Sequence, residues 1–169
     1  MFQGELVAVF IGPRTAEALQ AVEQVEAIAG RGLDGDRYCR GEGTFAKKDS
    51  PDREVTLIES EALEALTRDC EIPLRPEQAR RNLLTRGVPL NHLVGKEFSI
   101  GEVVLRGLRL CEPCGHLEKL TVKGIEKGLL HRGGLRAQIL RGGTLRPGAV
   151  IKPTAQSGVE RDHSGSPQA

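Results

Sequence analysis

A series of short apolar segments, each bounded by glycine or proline, limits most strongly what this chain can fold into. The first, residues 5–11, is almost entirely apolar or β-branched and ends at a Gly-Pro pair, which is typical of a buried strand. Residues 98–100 and 103–110 flank a glycine and predict a hairpin. The other candidate strands are 22–29, 55–58, 82–85, 135–140 and 150–151. We therefore expect about seven short strands.

Helical signals are few by comparison. Ser60 is the type of residue that caps a helix N-terminus, and apolar residues at helical spacing follow it over 62–66. A short helical turn is predicted over 76–80 and a second, weak helix over 121–130. Strands and helices do not alternate regularly along the chain. The pattern therefore predicts a mainly β fold, a β-barrel with a few peripheral helices, and excludes a doubly wound sheet.

Length and charge narrow the class of protein further. The 169 residues suit one domain, which we place at 1–152, followed by a polar tail at 153–169 that we expect to be disordered. A net charge of +1, with four Phe, one Tyr and no Trp, argues against binding of nucleic acid. No apolar run approaches the roughly 20 residues of a membrane helix, and the run at 6–11 lacks the basic leader of a signal peptide. We therefore expect a cytoplasmic protein with reduced cysteines.

The sharpest local feature is the segment CEPCGH at 111–116, directly after the predicted strand 103–110. A thiolate is a strong nucleophile and a soft metal ligand, and His116 with the positive charges nearby favours that form. Other interpretations stay open at this point: a zinc site, a thioredoxin-type redox pair, or two buried structural thiols. A closed zinc site needs four ligands, and the sequence offers neither a second CxxC nor a histidine at suitable spacing.

The two cysteines of this segment are not equivalent. Cys111 continues the strand alternation, so its side chain should pack against the sheet. Pro113 then turns the chain away from the sheet, and Gly115 leaves space for a bulky ligand beside the next thiol. Cys114 is therefore predicted to be the exposed, reactive thiol and the metal ligand, with Cys111 in support.

Arginine recurs beside glycine in the predicted loops. Glycine allows backbone N–H groups to approach an anion closely, and arginine supplies a two-pronged donor for phosphate. We expect Arg81, together with Arg37 and Arg136, to line one pocket for a small phosphorylated ligand. The spacing matches neither the P-loop nor the dinucleotide fingerprint, which excludes the common nucleotide-binding folds. The relevant segments are 30–32, 35–37, 80–82, 85–87 and 132–136.

Taken in order, these pieces resemble the MOSC (molybdenum cofactor sulfurase C-terminal) domain family over nearly the whole chain, from about residue 4 to residue 152, as a single-domain member. No single piece is decisive, but their order and spacing together are specific. The pieces are GLDGDRY at 32–38, EVTLIE at 54–59, RRNLLTRGVPL at 80–90, LVGKEFSIGEVVLRG at 93–107, CEPC at 111–114 and RGGLRAQILRGGTLRPG at 132–148.

The resemblance implies a β-barrel of the pyruvate-kinase-barrel type and a role in molybdenum cofactor chemistry. Family members use a cysteine at this strand end to carry sulfane sulfur or to ligate the molybdenum of a molybdopterin cofactor, and the matching residue here is Cys114. Arg81 and Asn82 resemble the part that faces the pterin phosphate. Pyridoxal phosphate is expected on a partner cysteine desulfurase and not on this chain.

The resemblance leaves alternatives open. Some family members are reductases of small N-hydroxylated compounds, which implies a redox partner. A non-catalytic module, whose cysteines are buried or bind structural zinc, is a further possibility.

Overall fold

The computed structural model describes residues 1–41 and 50–155, which form eleven strands and three short α-helices. The strands are β1 (Gly4–Ile11), β2 (Gln20–Val22), β3 (Val25–Ile28), β4 (Gly32–Leu33), β5 (Val55–Glu59), β6 (Leu83–Arg86), β7 (Glu97–Ile100), β8 (Val103–Leu110), β9 (Leu135–Arg141), β10 (Gly143–Leu145) and β11 (Val150–Pro153). The helices are α1 (Ser60–Cys70), α2 (Gly115–Leu120) and α3 (Ile125–Gly128), with short 3-10 helices at Pro51–Arg53, Pro76–Ala79 and Leu90–Leu93.

Seven strands close into a barrel. Their order is β11-β7-β8-β9-β5-β6-β1, and the pairing of β1 with β11, Gly4 opposite Ile151, completes the circle. Strand β2 extends the sheet beyond β1, and β10-β3-β4 form a second, smaller sheet. Closure removes the free strand edges that an open sheet would expose. The predicted mainly β class, a barrel with a few peripheral helices, is confirmed.

Alternating apolar residues of the strands fill the barrel. Phe98 is the largest fully buried side chain, and leucine, valine and isoleucine supply most of the remaining volume. This composition follows from a chain with no Trp and few other aromatic residues. Interior leucines include Leu6, Leu57, Leu83, Leu105 and Leu135.

A second apolar cluster covers one outer side of the barrel. Helix α1 packs there through Leu63 and Leu66, and Leu117 of α2 and Leu129 join the same cluster. Because β5 and β6 are parallel and α1 connects them, this side contains one βαβ unit. Because Leu117 belongs to this outer cluster, helix α2 packs against the outside of the barrel.

Three local predictions were wrong in detail. Ser60 is not the N-cap of α1: Glu59 holds that position in extended conformation, because β5 continues as far as Glu59. The predicted strand 22–29 is divided between β2 and β3. The predicted helix 121–130 is reduced to the four-residue α3 (Ile125–Gly128), because Gly124 adopts a φ of 98°, which an α-helix cannot contain.

The last described residues are ordered on the barrel. Strand β11 runs to Pro153, which lies opposite Phe98, and Thr154 donates a hydrogen bond through its hydroxyl to the carbonyl of Glu97 at 3.2 Å. Most of the predicted polar tail, from residue 156 onward, lies outside the described residues. Within the described part of the chain no helix is both long and apolar enough to cross a membrane.

Candidate functional site

The cysteine segment lies where β8 ends and α2 begins. Cys111 is 2% exposed, and its N–H donates to the Gly134 carbonyl at 2.7 Å, whereas Cys114 is exposed. The predicted burial of the first thiol and exposure of the second are therefore confirmed. Helix α2 starts at Gly115, in a stretch where the sequence predicted no helix, and its buried Leu117 anchors the helix. Cys114 is thus held between two buried residues while its own side chain reaches solvent.

The turn at residues 131–134, which precedes β9, packs against the cysteine segment 111–116. A Cβ on Gly133 would lie 2.5 Å from the Cys111 carbonyl oxygen and 2.9 Å from Cδ of Pro113, so only glycine permits this approach. The carboxylate of Glu112 accepts a hydrogen bond from the backbone N–H of His131 at 3.1 Å. The cysteine segment and the turn at 131–134 therefore form one packed unit.

All five residues that the sequence predicted as site residues line one open pocket. The pocket lies at the barrel end where β1 and β8 finish and β6 and β9 begin. The fold brings Arg37, Arg81, Asn82, Cys114 and Arg136 together from four separate parts of the sequence. Their convergence is a structural fact, while their chemical roles remain predictions. The other lining residues are Leu19, Tyr38, Thr56, Arg80, Cys111, Glu112, His116 and Leu117.

The pocket is strongly cationic. Burial lowers the pKa of the Arg80 guanidinium, and repulsion from Arg37 and Arg81 acts in the same direction. Arg37 and Arg81 are only 6% and 8% exposed. Guanidinium groups gathered in a partly desolvated space favour an anion beside them. The pocket is therefore suited to an anionic ligand.

Two of these arginines also have unsatisfied donors. Nε of Arg37 and Nε of Arg136 are buried and have no hydrogen-bond partner among the described residues. A buried N–H without an acceptor costs free energy unless a ligand or an ordered water supplies one. Both donors belong to residues that line the pocket.

The buried carboxylate of Asp36 partly neutralises the positive charge of Arg37. Asp36 is 1% exposed, and Oδ1 lies 3.8 Å from Nη1 of Arg37. Its carboxylate also accepts the N–H of Gly12 at 2.7 Å and the N–H of Tyr38 at 3.2 Å. Asp36 therefore holds the loop that presents Arg37, whose guanidinium carbon lies 4.6 Å from the centre of the Tyr38 ring.

Asn82 joins the strands around the pocket. Its Oδ1 accepts hydrogen bonds from the N–H and the hydroxyl of Thr56, both at 3.1 Å, and its Nδ2 donates to the Phe10 carbonyl at 3.2 Å. Nδ2 also reaches Asp36 at 3.5 Å. Asn82 is 7% exposed, so most of its hydrogen-bonding capacity serves the barrel itself.

Sequence reasoning did not select Arg80, Tyr38 or Thr56 for the pocket. Arg80 is the first residue of the RRN block, so its position beside Arg81 was a usable signal. Tyr38 follows Arg37 directly, but sequence alone does not show that both face one space. Thr56 faces the pocket because β5 pairs with β9, where it lies opposite Arg136.

The described residues provide no ligand set for the structural zinc site that the sequence left open. Among residues 1–41 and 50–155, no group of three or more His, Cys, Asp or Glu side chains is placed to hold a metal ion. The CxxC segment does precede a helix, but that helix has six residues and does not belong to the βαβ unit. The position of the CxxC segment therefore does not favour a thioredoxin-type redox pair.

Comparison with known proteins gives a consistent result. A sequence profile described as the MOSC domain matches residues 45–152. The crystal structure of the YuaD protein from Bacillus subtilis superposes with a TM-score of 0.73 at 17% identity, covering 89% of this chain and 97% of that one. YiiM from Geobacillus stearothermophilus gives 0.67 at 14% identity, covering 90% and 75%. YiiM from Escherichia coli gives 0.65 at 18% identity, covering 92% and 71%. No curated protein sequence matches significantly.

Proposed function

The chain belongs to the MOSC domain family, and on that basis we propose that its pocket binds an anionic molybdenum–pterin cofactor beside Cys114. One observation carries the proposal: an exposed thiol and a group of arginines from distant segments line the same pocket. Neither feature alone selects this ligand, since exposed thiols and cationic pockets are common. Their combination is what a group with both a thiophilic metal and a phosphate requires.

The residues present fit such a group. The unsatisfied Nε atoms of Arg37 and Arg136 would donate to phosphate oxygens, and Arg80 adds a third charge. The Cys114 thiolate would ligate the metal, because soft sulfur ligands suit such sites. When bound, the molybdenum centre supplies two-electron redox chemistry.

The protein's own residues would hold the cofactor in place and shield it from water. Asp36 keeps Arg37 in place, and Asn82 fixes the strands around it through Thr56 and Phe10. Leu19 and Leu117 supply apolar walls that reduce the access of water and strengthen the electrostatic attraction.

Sulfane sulfur carriage is a second candidate, favoured by the exposure of Cys114. The thiolate would attack the terminal sulfur of a persulfide on a donor protein. The donor's S–S bond breaks, the donor sulfur leaves as a thiolate, and a persulfide forms on Cys114, so no external oxidant is needed. The donor is a cysteine desulfurase, which carries its own pyridoxal phosphate.

Two other functions follow if the first proposal is extended or fails. With cofactor bound and a redox partner present, the same pocket would reduce a small N-hydroxylated compound. Without any cofactor or sulfur, the chain would be a non-catalytic module with structural cysteines.

Metal and pterin analysis of protein from a molybdopterin-producing host tests the proposal. We expect molybdenum and pterin in the wild-type protein and loss of molybdenum in Cys114→Ser. Cys70→Ser is the matched control, because Cys70 is also exposed but does not line the pocket. Mass spectrometry after incubation with a desulfurase and cysteine tests the second candidate by an added 32 Da, the mass of about one sulfur atom. Absence of both molybdenum and persulfide would leave the non-catalytic module.

A further inference from the structure

The four arginines of the pocket differ in what their nitrogen atoms contact. Arg81 directs all three of its nitrogens at backbone carbonyl groups. Nε donates to Gly133 at 2.8 Å, Nη1 to Ala79 at 3.2 Å and Nη2 to Cys111 at 3.1 Å. Among the described residues no carboxylate forms an ion pair with it. Its guanidinium is thus engaged with the main chain on three sides.

The carbonyls that Arg81 contacts belong to the unit that carries Cys114. Cys111 is three residues before Cys114, and Gly133 lies against Cys111 and Pro113 so closely that no Cβ would fit. The N–H of Cys111 is held by Gly134 at 2.7 Å and its carbonyl by Arg81. Both backbone polar groups at the base of the cysteine segment are therefore fixed.

The other arginines are differently placed. Arg37 and Arg136 each keep a buried Nε without a partner among the described residues. Arg37 donates weakly to the Gly12 carbonyl at 3.4 Å, and Arg136 donates to the Asp52 carbonyl at 3.3 Å. Arg80 reaches the Glu17 carbonyl through one nitrogen. These three retain more donors for a ligand than Arg81 does.

We infer that Arg81 is a positioning residue that braces the Cys114 segment, and that the anion is bound by Arg37, Arg80 and Arg136 instead. The inference rests on the proposed function only in taking Cys114 as the working thiol. It assigns to Arg81 a role in geometry and to its neighbours the role in charge. A lysine at position 81 would keep the charge but not the planar fork that reaches three separate carbonyls.

Arg81→Lys separates the two roles, and two measurements are made on the full chain. Hydrogen exchange of peptides spanning 111–117 reports the bracing, and calorimetric titration with inorganic pyrophosphate reports the anion site. We expect exchange in 111–117 to accelerate on the order of five-fold or more, the equivalent of losing one or more hydrogen bonds. We expect pyrophosphate affinity to stay within about two-fold, because the charge is kept and its ligands are elsewhere.

Two further variants complete the experiment. Arg141→Ala is the matched control, because Arg141, the last residue of β9, also donates to a backbone carbonyl, that of Glu102 at 3.0 Å, but does not line the pocket. It should leave exchange in 111–117 unchanged. Arg81→Gln removes the charge and shortens the side chain, so it should accelerate exchange in 111–117 at least as much as Arg81→Lys. Unchanged exchange in β7 and β8 peptides shows that each variant is folded.

Unchanged exchange at 111–117 in Arg81→Lys would overturn the inference. So would a marked loss of pyrophosphate affinity in that variant, with or without faster exchange, since Arg81 would then be a ligand of the anion. Molybdenum content does not enter either readout. A protein that never retains molybdenum would contradict the proposed function and still allow the exchange measurement to decide the role of Arg81.

Discussion

The guanidinium of Arg37 lies directly on the backbone of Gly12. Nη1 of Arg37 donates to the Gly12 carbonyl at 3.4 Å, and a Cβ on Gly12 would overlap that same nitrogen. The N–H of Arg37 donates to the same carbonyl at 2.9 Å. The absence of a side chain at position 12 is therefore what allows the guanidinium of Arg37, which lines the pocket, to approach this backbone.

Gly12→Ala should displace Arg37 without unfolding the barrel. Weaker binding of inorganic pyrophosphate is expected in calorimetry, by less than the roughly 1.5–3 kcal/mol of removing a charged hydrogen bond outright. The double variant Gly12→Ala/Arg37→Ala should bind no more weakly than Arg37→Ala alone, because both changes act through one guanidinium. Additive losses would show that Gly12 acts by another route.

Cys114→Ser and Cys111→Ser should separate reactivity from stability. Iodoacetamide followed by mass spectrometry should label Cys114 faster than Cys111, because only the former is exposed. Cys111→Ser should retain much of the function but lose about 1–2 kcal/mol of unfolding free energy, since a hydroxyl replaces a buried apolar thiol. Faster labelling of Cys111, or molybdenum retention and persulfide formation unaffected by Cys114→Ser, would mean that the wrong sulfur was chosen.

Arg136→Ala should weaken the anion site directly. Its buried Nε has no partner among the described residues, so a bound phosphate group would gain a charge-assisted hydrogen bond there. A loss of about 1.5–3 kcal/mol in pyrophosphate binding is expected by calorimetry. Arg106→Ala provides the comparison, because Arg106 pairs with Glu97 outside the pocket. Equal affinities of the two variants would remove Arg136 from the site.

Asp52 should give the stability of the protein a dependence on acid pH. Burial raises the pKa of Asp52, but hydrogen bonds from Ser50 and Arg109, with the charge of Arg109, outweigh this and lower it overall. A carboxyl with a lowered folded pKa stabilises the protein at pH values above its unfolded pKa. That contribution disappears as the pH falls through the folded pKa.

Asp52→Asn should therefore destabilise the protein at pH 7 by about 0.5–1 kcal/mol, a value reduced by the exposure of Arg109. The difference from wild type should shrink below about pH 4, where the unfolded carboxyl protonates. Urea unfolding at several pH values measures both. A difference that does not change with pH would show that the Asp52 charge is not involved.

Truncation after Ala155 should leave the melting temperature unchanged, because the predicted tail lacks apolar anchors. Truncation after Lys152 should lower it by several degrees, since it removes Pro153 and the Thr154 hydrogen bonds to Glu97. Thermal melts followed by circular dichroism compare the two. A large drop on the first truncation would show that the tail packs on the barrel.

Much of the fold could be predicted because its signals are local. Apolar alternation and glycine or proline boundaries identified most strands, including the hairpin of β7 and β8. The difference between Cys111 and Cys114 was also local, since strand periodicity and Pro113 determine which thiol faces inward. The helix over 121–130 failed for a local reason too: the residue pattern does not reveal the positive φ of Gly124.

The sequence by itself determined most of the strands, which thiol of the cysteine segment is exposed, and the presence of arginines beside glycines. Only the tertiary structure decided that Arg37, Arg81 and Arg136 meet. Their encounter depends on barrel closure and on the pairings of β5 with β6 and β9, which are contacts between residues distant in the chain. The hydrogen bonds of Arg81 were equally beyond the sequence. Which of two adjacent arginines directs all three of its nitrogens at main-chain carbonyls depends on where carbonyl groups of other segments lie in space, and no local pattern records this.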